Sequence, residues 1–205
     1  MPTKNWGATG SVLPGVNDTA LVILLHQLLF QGMFVVKNVA LRRRLGQPIR
    51  GSNSEANLAI ASLALFIGLA LLLALSDSPP GRLALLPAPV ALVLCLVLLA
   101  ANLLIGLASL RHLGDSWRVG VIDGQRTELV QDGVYGITRN PYFVAYLLMC
   151  AAYTILLQNL LLLLLALVCF ALIHAMILRE ERHLAAMHGD VYRRYRQRVR
   201  RYLLF

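Results

Sequence analysis

Five apolar runs dominate this chain. The first, Leu21 to Leu41, is interrupted by polar His26, Gln27, Gln31, Lys37 and Asn38. The second, Leu58 to Leu75, and the third, Leu83 to Leu110, carry no charge, and the third has Pro87 and Pro89 in its first turns. The fourth, Tyr142 to Leu157, is short, and the fifth covers Leu160 to Leu178. A membrane helix needs about 20 mostly apolar residues. The pattern therefore predicts an all-α integral membrane protein of five transmembrane helices. Only Gln158 and Asn159 part the last two runs, which predicts a helical hairpin with a tight polar turn. Residues 1–18 hold one Lys and no apolar core, so they do not read as a signal peptide and are expected to form a poorly ordered external tail. The first three helices then occupy 19–112, and 113–205 hold a cofactor-binding region with the hairpin and a basic C-terminal helix.

Composition sharpens this picture. Hydrophobic residues make up 58% and charged residues 14%, against about 45–50% and 25% in ordinary soluble domains. Such a chain is not disordered, a disulfide scaffold or a typical soluble nucleic-acid binder. Lys and Arg number 19 against 10 acids, a net charge of +9. Seventeen of those 19 lie near the end of the first run (Lys37) or follow the first, third or fifth, and only Lys4 and Arg82 fall on the other side. The positive-inside rule then puts the N-terminus outside and the C-terminus in the cytoplasm, across an inner membrane. Cys95, Cys150 and Cys169 lie within apolar runs, without metal-ligand spacing, and read as buried free thiols.

Two polar segments on the expected cytoplasmic side exceed what connecting helices requires. Gly114 to Pro141 is longer than the roughly 12–15 residues beyond which loops are often functional. It contains Asp123-Gly124, a favoured hairpin turn. Arg179 to Tyr202 continues the fifth run and opens with the chain's one pair of adjacent acids, Glu180 and Glu181. Tyr192, Tyr195, Val199 and Tyr202 recur at helical spacing with arginines around them. That is the pattern of an interfacial helix held by anionic lipid.

Three strings stand in order along these segments: Gly133-Val-Tyr-Gly-Ile-Thr-Arg-Asn-Pro-Tyr-Phe143, Glu180-Glu181-Arg-His-Leu184 and Met187 to Tyr195. With them the chain resembles the isoprenylcysteine carboxyl methyltransferase and phospholipid methyltransferase superfamily. Gly133-Val-Tyr-Gly-Ile-Thr-Arg-Asn-Pro-Tyr-Phe143 resembles its G-x-Y-x-x-x-R-H/N-P-x-Y signature. Glu180-Glu181-Arg-His-Leu184 is similar to its E-E-x-x-L, and Met187 to Tyr195 to its F-G-x-x-Y-x-x-Y. The likeness spans Leu113 to Tyr202. The chain departs from the pattern at Asn140 for a frequent His, Phe143 for Tyr, Ala145 for Gly and Arg200 for Pro.

The resemblance implies a membrane methyltransferase using S-adenosylmethionine, with a lipid, lipid-linked or small hydrophobic acceptor and membrane lipids, rather than nucleic acid or metal, as partners. Glu180 or Glu181 would hold the cofactor's ammonium group by a charge-assisted bond. Arg139, Asn140 and Pro141 open the fourth helix, whose free N–H groups would receive an anionic group. Tyr135, Tyr142 and Phe143 are candidates for the adenine or the methyl-transfer channel. The sulfonium is already activated, so alignment and exclusion of water carry most of the catalysis. An amine acceptor would need a base, and His174 and Glu180 are the candidates. His26, Gln31 and Asn38 are costly in lipid and are expected to face the bundle, as a substrate wall or as packing bonds. The alternatives are an NADPH-dependent enzyme like the sterol reductases and a non-catalytic membrane scaffold.

Overall fold

The computed structural model describes residues 16–46, 54–117 and 128–203. They form α1 (Val16–Leu45), α2 (Ser54–Ala74), α3 (Ala88–Leu113), α4 (Pro141–Leu157) and α5 (Leu160–Arg198), with 3-10 turns at Gly114–Ser116 and Gly133–Gly136. No strand occurs among the described residues, so the all-α expectation holds. Residues 1–15, Arg118, Arg126 and the Asp123-Gly124 turn lie outside them. α1 begins at Val16, inside the stretch expected as tail. Four helices are long and apolar enough to cross a membrane, and α4, at 17 residues, is shorter. The chain is a multi-pass membrane protein.

The outward faces are apolar: Leu28, Val36, Leu72 and Leu104 are each largely exposed. In water such a surface is a liability, and in lipid it is the solvated face. α3 packs against α4, and α5 against α2. The interior holds Ile23, Phe30, Phe66, Met149 and Tyr153, all fully buried, and the three cysteines are free and buried.

Polar residues of α1 turn inward and bond across the bundle. The Asn102 amide nitrogen donates to the Ala145 carbonyl at 2.6 Å, which aims its oxygen at His26 Nε2, 2.8 Å away. That oxygen can only accept, so Nε2 carries the proton. His26 Nδ1 then accepts from the Tyr153 hydroxyl at 2.7 Å, and Tyr153 accepts from Gln27 at 2.9 Å. Gln31 donates to Gln27 at 3.2 Å.

The fourth–fifth helix hairpin closes at the far end from the polar segments. Gln158 takes a left-handed backbone (φ 43), and the Asn159 side chain accepts from Leu161 and Leu162 N–H, capping α5. Gln158 also accepts from Leu85 and Leu86 N–H at 2.9 and 2.6 Å, and Asn159 donates to the Pro80 carbonyl at 2.7 Å. These bonds occupy the segment before α3. The third apolar run was expected to be helical from Leu83, but α3 starts at Ala88, after Pro87 as N-cap. Proline disfavours helical geometry in the residue before it, and the Leu83, Leu85 and Leu86 N–H groups bond Gln158 instead, holding the segment extended before the cap.

Candidate active site

α5 runs on past Leu178, where its apolar stretch ends, and kinks at Gly189 (φ 51, ψ −122). The chain then folds back. The Arg139 N–H donates to the Arg200 carbonyl at 2.9 Å, the Thr138 hydroxyl to the Arg201 carbonyl at 2.8 Å, and Tyr195 OH to the Tyr135 carbonyl at 2.7 Å. A cavity forms between this returning segment, the start of α4 and one face of α5, and with its mouth it holds about 1040 Å³ of space. Met176, Glu180, His183, Leu184 and Met187 line it from α5 at helical spacing. Trp117, Tyr135, Tyr142, Phe143, Tyr192 and Tyr195 give it aromatic walls.

The adjacent acids divide. Glu181 is buried and saturated. It accepts from Arg139 Nε and a terminal nitrogen at 3.1 and 2.9 Å, from Asn140 at 3.3 Å, and from Arg201 at 3.2 and 2.9 Å. Burial alone would raise its carboxyl, but the bonds from Arg201 and Arg139 outweigh burial and hold it below the ordinary range. Arg139 also donates to the Val199 carbonyl at 2.5 Å. This knot ties the start of α4, the exit of α5 and the returning segment together.

Glu180 is the opposite case. It lines the cavity and makes no hydrogen bond or ion pair among the described residues. Protein surrounds it on every side but the cavity, so it keeps some exposure. Burial, with the Glu181 carboxylate beside it, pushes its carboxyl up to about 7. A second unused group is the buried Tyr192 hydroxyl, which has no hydrogen bond among the described residues. Burial pushes it up to about 12, and the nearby Arg139 guanidinium opposes part of the rise without reaching hydrogen-bond geometry.

The start of α4 adds donors. Pro141 is the first helical residue and Asn140 the N-cap, with no side-chain cap bond. Helix geometry leaves the N–H groups of Tyr142 and Phe143 without acceptors in their own helix, and both residues line the cavity. The 3-10 turn before it depends on Gly133, at φ 60: the His112 ring covers it so closely that a Cβ would overlap the imidazole.

Of the residues singled out by sequence, the structure brings Tyr135, Arg139, Asn140, Tyr142, Phe143, Glu180 and Glu181 to the cavity wall. Arg139 and Asn140 spend their side chains on the knot, and Pro141 is buried behind it. His174 does not line the cavity. Its Nδ1 bonds Tyr202 OH at 2.7 Å, between the rings of Phe170 and Tyr202. His26, Gln31 and Asn38 do not line it either. Asn38 accepts from Trp117 Nε1 at 2.7 Å, which seats the indole against Tyr142 with ring centroids 4.8 Å apart. Sequence reasoning missed Trp117, His183 and Met187. The stripe at 176, 180, 183, 184 and 187 is a helical face that would have shown the last two.

The family model described as phospholipid methyltransferase matches residues 90–191, from the start of α3 to just past the α5 kink. No curated protein matches the chain. The matched stretch supplies most of the cavity wall and includes the R-N-P and E-E-x-x-L strings, and over residues 90–191 the chain is similar to the phospholipid methyltransferase family.

Proposed function

We propose that the chain is an integral membrane methyltransferase that takes S-adenosylmethionine in this cavity and transfers its methyl group to a lipid, lipid-linked or small hydrophobic acceptor. The observation that carries the reading is the cavity-facing Glu180, unpaired among the described residues, beside a Glu181 whose bonds are all spent. The residues fit the cofactor. Glu180 would hold its ammonium group, the Tyr142 and Phe143 N–H groups its carboxylate, and the aromatic walls its adenine. S-adenosylmethionine supplies an activated methyl as a sulfonium. The cavity's aromatic lining would keep water from the transfer, and the knot would fix the wall that aligns the reactants. For an amine acceptor, Glu180 is the base that faces the cavity, whereas His174 is engaged with Tyr202. The arginine distribution supports an inner-membrane orientation with the cavity on the cytoplasmic side, so an acceptor would reach it from the lipid.

Titration of the detergent-purified protein with S-adenosylhomocysteine and with NADPH, by calorimetry or thermal shift, tests the reading. Binding of the first alone is expected. Binding of NADPH alone would favour the reductase alternative, and binding of neither would overturn both. Reporters fused after Phe205 and at Met1 are expected to read cytoplasmic and external.

A further inference from the structure

The segment beyond the Gly189 kink has two unlike faces. Tyr192 and Tyr195 point inward and are buried against the cavity. Arg193, Arg194, Arg196, Arg198 and Arg200 are all exposed on the remaining surface. Arg193 pairs with Asp190. Arg198 bonds Gln131, and none of Arg194, Arg196, Arg198 or Arg200 meets an acid among the described residues. The exposed apolar residues Val191 and Leu203 flank the arginines.

Two contacts fix the depth of this face. Tyr202 OH bonds His174, four residues before the apolar run of α5 ends at Leu178, and Arg201 bonds Glu181 just beyond that end. The chain therefore returns to the boundary where α5 leaves the hydrocarbon, and carries its arginines there. A cationic face with apolar flanks at that depth matches anionic phospholipid headgroups.

We propose that the outer face of residues 190–203 is a docking surface for anionic phospholipid headgroups, and that docking steadies the cavity wall formed by Tyr192 and Tyr195 on its inner face. The surface does not depend on the identity of the cofactor. The same arginines that bind headgroups lie one side chain away from the tyrosines, so lipid charge is read out as order of the wall.

Hydrogen exchange across residues 190–203 tests this on the full chain, in nanodiscs of phosphatidylcholine alone and of phosphatidylcholine mixed with phosphatidylglycerol. Exchange is expected to slow by about fivefold or more in the anionic discs, as engaging even one arginine predicts, and the difference should shrink as salt is raised. The triple variant Arg193→Gln, Arg194→Gln, Arg196→Gln should exchange equally in both discs. Equal exchange of the unaltered chain in the two discs would overturn the proposal, whatever the variant does. Protection of the chain in neutral discs by inorganic phosphate to the same degree would overturn it too, by assigning the face to a soluble anion.

Discussion

Two polar clusters sit inside this apolar protein, and they are built to opposite rules. Around His26, Asn102 and Tyr153 the polar groups are engaged by others from α1, α3 and α4. At the cavity, Glu180 and the Tyr192 hydroxyl are held beside charged neighbours and left unpaired among the described residues. Burying an unsatisfied polar group costs free energy, and a charged one more. The first cluster minimises that cost and fixes helix register. The second tolerates it, and the Glu181 knot supplies the rigidity that keeps it in place. A cavity-facing acid left unpaired among the described residues beside a saturated one is what supports reading the cavity as a ligand site.

Breaking the knot tests the rigid half of this contrast and carries the largest expected effect. Glu181→Ala strands the buried Arg139 charge and should cost about 3–5 kcal/mol of stability, seen as a lower midpoint in denaturant or thermal unfolding in detergent. Next is the tolerant half. Glu180→Gln should weaken S-adenosylhomocysteine binding by about 1–3 kcal/mol without loss of stability. The pH dependence follows from the same residue. Binding an ammonium group needs the carboxylate, so affinity should rise with pH through about 7, and Glu180→Gln should flatten the curve. Stability moves the other way. The folded state keeps a proton on Glu180 that the unfolded chain has released, so stability of the ligand-free protein falls as pH climbs from the ordinary carboxylate range towards 7.

Smaller effects sharpen the contrast further. His26→Ala leaves Asn102 short of a partner and removes a bond from Tyr153, for about 1–2 kcal/mol. Its unfolding midpoint should drop while affinity for S-adenosylhomocysteine stays put; a large loss of affinity would mean that the two clusters are one. Tyr192→Phe removes a hydroxyl with no hydrogen bond among the described residues. Unfolding should be unchanged and binding weaker by about 0.5–1.5 kcal/mol, measured by calorimetry.

The apolar runs were legible because lipid demands long uninterrupted stretches, and each run holds one helix, with α3 starting late at Ala88 and α5 running on to Arg198. Leu83–Leu86 broke the pattern because its backbone donors answer to Gln158, over seventy residues away. The candidate site was legible in kind but not in assignment. Sequence marked Glu180 and Glu181 as a pair; which one is free depends on Arg139 and Arg201 arriving from opposite directions in the chain. His174 looked equally suited to the cavity until the returning segment brought Tyr202 to it. Trp117 carried no local signal, since its seat is made by Asn38, 79 positions earlier. Periodicity reports which face of a helix is buried. It does not report which distant side chain will meet that face.

The brevity of α4 has a consequence for the site. Its 17 residues rise about 26 Å, a few ångströms less than the roughly 30 Å hydrocarbon layer. The Gln158–Asn159 turn ties one end to the segment before α3, and the other end, at Asn140, borders the cavity. Within α4 only Ala151 is exposed, so neighbouring helices rather than lipid surround it. A helix this short, sheltered among longer ones, leaves a recess beyond its first turn, and the cavity opens there.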